Sequence, residues 1–272
     1  MDAPQAPYPY NPLALARLMG PTTPTLDRLV RFLGSVRGTD KVLMFIQYFT
    51  KIVIWYIQRT GSSTSRNLFS KLLFRKPTTL TTHLKNLAGP VSDFRILLRY
   101  YGLVPLVQYM AFIEHHPPTS QFLLHVERLQ NLCNLIYYPL EHAYWLGAHN
   151  VLPLSKKTTN RISIWSCRFW AAYVLLQYVN LEEQRRIVNE KEANLARRIK
   201  AGELDDVGQN RAALMTVSAQ RRNIYINYVI NTAYLPLTIH WSLENSSFPD
   251  IGVGICGTIA AICQLYTTWE SS

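Results

Sequence analysis

Histidines and carboxylates are the side chains of this sequence that could bind a metal ion or act as acids and bases, but their spacing favours neither role. His115 and His116 are adjacent, so on a helix their side chains point about 100° apart, and two prolines follow them. This pattern is typical of the end of a helix. Glu141, His142 and His149 fall on one predicted helix, but no cysteine or aspartate is placed with them to complete a metal site.

Other motifs that carry chemistry are absent or lack their structural context. The four cysteines form no C-x-x-C pair. Gly252, Gly254 and Gly257 match the dinucleotide-binding pattern G-x-G-x-x-G, but they follow no predicted strand and only fifteen residues come after them. No Walker loop, nucleophile elbow or H-E-x-x-H occurs. The sequence therefore predicts a protein that is not an enzyme and that needs no cofactor or metal.

Basic residues are concentrated in the earlier part of the chain. The sequence contains 28 Lys and Arg against 17 Asp and Glu, and none of the basic residues lies beyond residue 222. Such a charge distribution attracts an anionic surface, either phospholipid headgroups or nucleic acid. Zinc-finger spacing, a ribonucleoprotein sheet motif and a helix-turn-helix with a polar recognition helix are all missing. We therefore expect an anionic phospholipid membrane as a partner and no nucleic acid.

The apolar residues recur with helical periodicity, which predicts an all-α fold. A disordered Pro-rich tail is expected over residues 1–24. Thr39 is a suitable N-cap, and Asp40 then lies in the first turn of a helix over 40–60. A short helix is predicted at 66–74.

We expect a helical membrane protein with amphipathic N-terminal helices and a C-terminal transmembrane helix. After the tail, the chain divides into three predicted regions. A basic amphipathic helical region covers 25–115, a central helical region with a charged helix covers 116–222, and a membrane-anchoring region covers 223–272.

One predicted helix of the basic region carries a narrow apolar seam. Its residues are spaced alternately by four and three positions: Leu80, Leu84, Leu87, Val91, Phe94, Leu98 and Tyr101. Lys85, Arg95 and Arg99 project to one flank of the seam, where they suit contact with anionic lipid. Because Pro90 lacks an amide N–H and crowds the preceding turn, we expect Gly89-Pro90 to cause a kink or to divide the helix in two.

Such a seam is compatible with two roles. Heptad seams commonly make tertiary or coiled-coil contacts. A helix that lies in the headgroup plane instead widens one leaflet and favours membrane curvature. The basic flank, together with a plausible anchor farther along the chain, favours the second role, so we predict that the seam is a membrane-inserting face.

Residues 251–269 are the best candidate for that anchor. They carry no charge, and as a helix they span about 28 Å, close to the hydrocarbon thickness of a bilayer. Trp269 stands where an interfacial aromatic residue is expected. Gly254, Gly257 and Ala261 form a small-residue face that would allow close helix packing. A buried C-terminal helix of a soluble protein is the alternative.

The basic region contains Thr39-Asp40-Lys41 with Gln47-Tyr48, and Phe94-Arg95 through Arg99-Tyr100. These two patches resemble the N-terminal helix and the basic end of the amphipathic segment of the peroxin-11 family in its fungal form. The family's central motif and the run after it resemble Tyr138-Pro139-Leu140-Glu141-His142 with Trp145-Leu146, and Trp165-Ser166-Cys167-Arg168-Phe169-Trp170. The Gly-rich end from Gly252 to Trp269 resembles its last membrane segment. The likeness covers roughly residues 26–270.

The resemblance implies an integral protein of the peroxisomal membrane that tubulates the membrane before fission. It further implies a homo-oligomer or a hetero-oligomer with a paralogue, and contact with the dynamin-type fission machinery. By the same resemblance the helix around 80–101 is the remodelling element. The Gly89-Pro90 pair and the Pro-rich head depart from the family pattern.

Two other interpretations remain open from the sequence. A peroxisomal metabolite channel or transporter subunit, a role proposed for some family members, would need several spans with groups such as Arg168, Asn227 and Asn231 facing a pore. Residues 162–181 and 223–243 are the further candidate spans, although polar residues interrupt both. A soluble helical scaffold would be extracted from membranes by alkaline carbonate.

Overall fold

A computed structural model describes residues 23–61, 77–202 and 207–271. These residues form eight helices and no strand: α1 Pro24–Gly34, α2 Val36–Gly61, α3 Pro77–Tyr100, α4 Leu103–His115, α5 Gln121–Ala148, α6 Lys156–Lys200, α7 Val207–Ser242 and α8 Asp250–Glu270. The predicted all-α class is confirmed. The predicted helix at 66–74 and nearly all of the Pro-rich tail lie outside the described residues.

Three of the helices begin at a hydroxyl side chain that satisfies a free backbone amide. Thr23 accepts a hydrogen bond from the Leu26 amide at the start of α1, Ser120 from the Leu123 amide at the start of α5, and Ser155 from the Thr158 amide at the start of α6. The expected N-cap at Thr39 is wrong, because α2 begins three residues earlier at Val36.

Ser35 separates α1 from α2. Its hydroxyl donates to the Phe32 carbonyl at 2.7 Å and accepts from the Gly38 amide at 2.9 Å. A Cβ atom on Gly38 would lie 2.0 Å from that carbonyl oxygen, so only glycine fits there. The chain can therefore turn sharply and begin α2 before Thr39, whose hydroxyl donates instead to the Leu33 carbonyl.

Helix α3 runs without a break through Gly89-Pro90. The expected division into two half-helices is therefore wrong, and Pro90 lies at an exposed position inside one continuous helix. The alternative of a kink at Pro90 stays a prediction. The break comes at Tyr101-Gly102 instead, where the pair α3–α4 is bent by 40°.

The six long helices form a closed ring. Neighbours in the ring pack in the order α5, α6, α7, α8, α2 and α3, and α3 closes the ring by packing against α5. The short helices lie outside it, α1 against α2 and α4 against α5. The largest apolar core lies where α2, α7 and α8 meet and contains Met44, Tyr48, Ala233, Leu237, Val253, Ala260 and Ala261.

Helix α8 is the one helix in the described parts of the chain that is by itself long and apolar enough to cross a membrane. The pair α3–α4 also qualifies if its two bent helices are counted as one element. Helix α8 has a second face opposite its packed side, where large apolar residues are about half exposed: Ile255, Ile259, Ile262 and Tyr266. This face suits contact with lipid chains.

Candidate functional site

The seam of α3 lies between the side of the helix that packs against its neighbours and the side that is exposed. Leu87, Phe94 and Tyr101 are 50, 49 and 69% exposed. The other four seam residues, Leu80, Leu84, Val91 and Leu98, are partly buried. Because α3 packs against both α2 and α5, only one side of the seam is free to contact a lipid surface.

Exposed apolar residues follow one another in sequence from α3 through Tyr101 into α4. We call this set the outer surface, and it consists of Leu87, Phe94, Leu97, Tyr100, Tyr101, Val104, Val107, Tyr109 and Phe112. The members on α4 were not predicted as part of the site. The stretch from Gly102 to Ile113 is too short to cross a membrane by itself, but its apolar composition could have indicated that α4 belongs to the site.

The three predicted lipid-contacting cations lie in different surroundings. Lys85 is exposed on α3, and its contact with lipid headgroups stays a prediction. Arg95 is only 7% exposed and points into the bundle. Arg99 is also directed inward, against α5. In this conformation Arg95 and Arg99 contact protein groups, so a contact with lipid would require them to leave these partners.

Arg95 ties α3 to α2. Its Nε donates to Asp40 Oδ1 at 2.9 Å and its Nη1 donates to Gln47 Oε1 at 2.6 Å. The guanidinium also lies 5.8 Å from the centre of the Tyr48 ring. Lys41 is the second cation on Asp40, with Nζ at 2.8 Å from Oδ2. These contacts satisfy a buried charge from several directions, as a buried ion pair requires.

The pKa of Asp40 reflects the same contacts. Burial opposes ionisation of the carboxyl, but the positive charges of Lys41 and Arg95 outweigh burial and hold the pKa at about 2, below its ordinary 3.8. Burial also lowers the pKa of Lys41, an effect that Asp40 partly offsets. Asp40 is therefore a carboxylate at neutral pH, and its pair with Arg95 is formed.

This pKa predicts how the contact responds to acid. Because the folded pKa lies below the unfolded value, the stability that Asp40 contributes is complete above about pH 4 and is lost as the pH falls towards about 2. Unfolding of the wild type and of Asp40→Asn should be compared in detergent from neutral pH downwards. The wild type should be more stable at and above about pH 5, and the difference should disappear near pH 2. A difference that persists unchanged at that pH would contradict the assignment.

Arg99 ties α3 to α5. Its Nε and Nη2 donate to the two oxygens of Glu141 at 2.5 and 2.6 Å, a bidentate pair. The Tyr137 hydroxyl donates to Glu141 Oε1 at 2.7 Å. His142, on the next position of α5, places Nε2 at 3.2 Å from the Ile96 carbonyl of α3. Helix α3 is thus held by an ion pair on each of two neighbouring helices.

The acidic partners of the two arginines were missed as partners, although they lie in the patches that resemble the peroxin-11 family. Asp40 and Glu141 are 55 and 42 residues distant from their arginines along the chain. For Glu141 a signal was available, because it is the single acidic or basic residue, histidine aside, between positions 129 and 148 of α5, and a carboxylate buried in an apolar stretch needs a cation.

The predicted small-residue face of α8 packs against protein. Gly254, Gly257 and Ala261 are all buried. A Cβ atom on Gly254 would lie about 3.1–3.2 Å from atoms of Tyr48, Lys51 and Ile52 on α2, and one on Gly257 would enter the Tyr48 ring. These residues therefore allow α2 and α8 to approach closely.

Ion pairs lie at both ends of α8. Asp250 accepts from Lys51 of α2 at 3.1 Å at its start, and Glu270 accepts from Arg222 of α7 at 3.0 Å at its end. Twenty-one residues of helix correspond to about 31 Å. The charges are thus separated by roughly the thickness of a bilayer core.

The polar groups considered for a pore do not converge. Arg168 donates to the Ser242 carbonyl and lies over the Trp165 ring, Asn227 bonds to Asn223 of its own helix, and Asn231 donates to the Val174 carbonyl. None of the three lines either of two cavities in the described residues, one around Glu182 and Arg186 and the other around Val188 and Ile224. Among the same residues there is no cluster of three or more histidine, cysteine or acidic side chains that could hold a metal ion.

Comparisons with known proteins point to one family. The sequence profile of Peroxisomal biogenesis factor 11 matches residues 26–269. An uncharacterized protein of Schizosaccharomyces pombe is 27% identical over 180 residues, which cover 65% of this chain and 72% of the relative. Peroxisomal membrane protein 11C of Homo sapiens is 24% identical over 251 residues, covering 89% and 93% of the two chains.

A third relative matches a shorter stretch. Peroxisomal membrane protein 11B of Arabidopsis thaliana is 24% identical over 123 residues, which cover 45% of this chain and 46% of the relative. No solved structure is significantly similar to the chain.

Proposed function

Since this chain belongs to the Peroxisomal biogenesis factor 11 family, we propose that it elongates the peroxisomal membrane before fission by inserting the outer surface of α3 and α4 into lipid. The family consists of peroxisome biogenesis factors and is not known as an enzyme family. The protein is located in the peroxisomal membrane, with α8 as its candidate span.

One observation carries the mechanism. Helix α3 is fixed on its inner side by two ion pairs, yet its other side exposes large apolar residues such as Leu87 and Phe94. A contiguous exposed apolar surface on a folded protein marks an interaction with another protein or with a membrane. The candidate span α8 belongs to the same ring of helices, which favours the membrane.

Approximate free energies indicate whether α3 inserts into lipid while it stays packed against the bundle. Burying the exposed half of each large apolar residue contributes about 1 kcal/mol. Releasing α3 to lie flat on the bilayer would break the pairs of Arg95 and Arg99, and each buried pair costs about 3–5 kcal/mol to break. Insertion of the docked helix gains the free energy of apolar burial without the cost of breaking the two ion pairs. We therefore propose that α3 acts as an outer wall of the bundle, adding volume to one leaflet more than to the other.

The decisive experiment uses the full-length protein in vesicles of phosphatidylcholine with a minority of phosphatidylserine. Leu87→Glu/Phe94→Glu should abolish vesicle elongation seen by electron microscopy, because two carboxylates would have to enter lipid. Both residues are exposed, so the bundle should still fold, which circular dichroism checks.

The matched control is Leu129→Glu/Leu132→Glu on α5, where two leucines are exposed to a similar extent. This variant should elongate vesicles as the wild type does. Equal elongation by wild type and by Leu87→Glu/Phe94→Glu would remove the outer surface from the mechanism. Self-association, a paralogue partner and contact with dynamin-type machinery remain proposals from the family resemblance.

A further inference from the structure

Helix α1 exposes an apolar stripe that the mechanism above does not use. Leu26, Leu29, Val30 and Leu33 are 41–63% exposed and recur at helical spacing on one side of this eleven-residue helix. Isolated exposed leucines are common on protein surfaces, but a complete stripe on one short helix indicates a binding partner.

The opposite side of α1 is clamped to the end of α8. The Arg28 guanidinium donates to the Trp269 carbonyl and lies 4.7 Å from the centre of the Trp269 ring. Phe32 is buried and meets the same ring edge-on, with centres 5.4 Å apart. A cation on the last carbonyls of a helix is favourable because it complements the negative end of the helix dipole. Helix α1 is thus held at one defined level of the bundle.

Helix α1 therefore lies at the C-terminal end of the candidate span α8. Trp269 is the penultimate residue of α8, beside the Arg222–Glu270 ion pair. Tryptophan, with an apolar ring and a polar N–H, is enriched at the lipid–water boundary. The stripe on α1 points away from Trp269 and is exposed.

We propose that α1 is an interfacial helix that inserts its stripe into the lipid–water boundary where α8 leaves the bilayer. The proposal rests on the assignment of α8 as a span. The partner is phospholipid, because α1 contacts Trp269, three residues beyond Tyr266 at the end of the exposed apolar face of α8, and because α1 carries the positive charges of Arg28 and Arg31 at that end. Helix α1 then sets the depth at which the bundle sits in the membrane.

Site-directed spin labelling of the full-length protein tests this in the same phosphatidylcholine and phosphatidylserine vesicles. The four native cysteines are first replaced by alanine or serine, and one nitroxide is introduced at Leu29, at Arg31 or at Ile259. Leu29 lies on the stripe, Arg31 on an exposed polar flank of α1 away from the stripe, and Ile259 on the exposed face of α8. Collisions with oxygen, which concentrates in lipid, are compared with those of a water-soluble nickel complex.

We expect the label at Leu29 to collide mainly with oxygen and the label at Arg31 mainly with the nickel complex. Trp269→Ala should shift the Leu29 label towards water, because the clamp is lost. If Ile259 is in lipid but Leu29 is in water, the interfacial helix is refuted and the span is retained. If the label at Ile259 is itself in water, α8 does not span the membrane, and the proposal for α1 is refuted together with that assignment.

Two further outcomes would also overturn the proposal. Spin–spin broadening at Leu29 would show that a second copy of the chain covers the stripe. A label at Leu29 that is shielded from both reagents, but becomes reactive after deletion of residues 1–22, would show that the preceding segment of this chain covers it.

Discussion

Replacing Glu141 with glutamine should lower the free energy of unfolding in detergent by about 3 kcal/mol. The substitution keeps the shape of the side chain but leaves the Arg99 guanidinium without its bidentate partner. Removal of one member of a buried pair is costly because the remaining charge is poorly solvated. The Arg99 side chain retains 27% exposure, which places the expected loss at the lower end for such pairs. Thermal or denaturant unfolding followed by circular dichroism measures it.

The chain offers a control with the same geometry at the surface. Arg128 donates two hydrogen bonds to Glu114 at 2.7 and 2.5 Å, but about half of each side chain is exposed. Water can replace the lost partner there, so Glu114→Gln should leave the stability nearly unchanged. Similar losses in the two variants would show that burial does not determine the strength of the Arg99 pair.

The same Glu141→Gln variant tests how α3 acts on the membrane. If α3 works while docked, loosening its contact with α5 should reduce vesicle elongation per molecule bound. If α3 must leave the bundle, the variant should elongate vesicles more than the wild type. We expect a reduction, because the outer surface is formed only while α3 and α4 keep their positions.

The helices could be predicted because local signals specify them. Ser120 and Ser155 are good N-caps, and the charge-free stretch 251–269 corresponds closely to α8. The start of α2 was misplaced because Gly38 is usually a sign of a helix end, whereas here a glycine is required inside the helix by the nearby Phe32 carbonyl. That contact depends on the angle between two helices, which the sequence does not contain.

The direction of the arginines could not be predicted for a related reason. Periodicity shows that Arg95 and Arg99 lie on one flank of the seam, but not whether that flank faces lipid or another helix. The answer depends on Asp40 and Glu141, which are brought to α3 from distant parts of the chain by the closed ring. By its spacing in the sequence Lys85 lies on the same flank as the two arginines, yet its side chain is exposed in the structure.

Gly257→Ala should destabilise the protein by about 1–3 kcal/mol, although it adds a single methyl group. A Cβ atom at this position would lie 2.2–2.6 Å from three atoms of the Tyr48 ring. The ring cannot easily move aside, because Tyr48 is buried and the Arg95 guanidinium lies against it. Helix α8 must therefore move away from α2, which also disturbs the contact that holds α3.

Gly34→Ala is the matched control, since it makes the same chemical change in the exposed last turn of α1, where no proline follows. No atom outside the local backbone lies within 4 Å of the added Cβ, and alanine is a better helix former than glycine by up to about 1 kcal/mol. This variant should be as stable as the wild type or slightly more stable. A wild-type midpoint of unfolding for Gly257→Ala would mean that α2 and α8 do not pack closely in the membrane protein. The coupling of the candidate span to α3 through Tyr48 and Arg95 would then be lost as well.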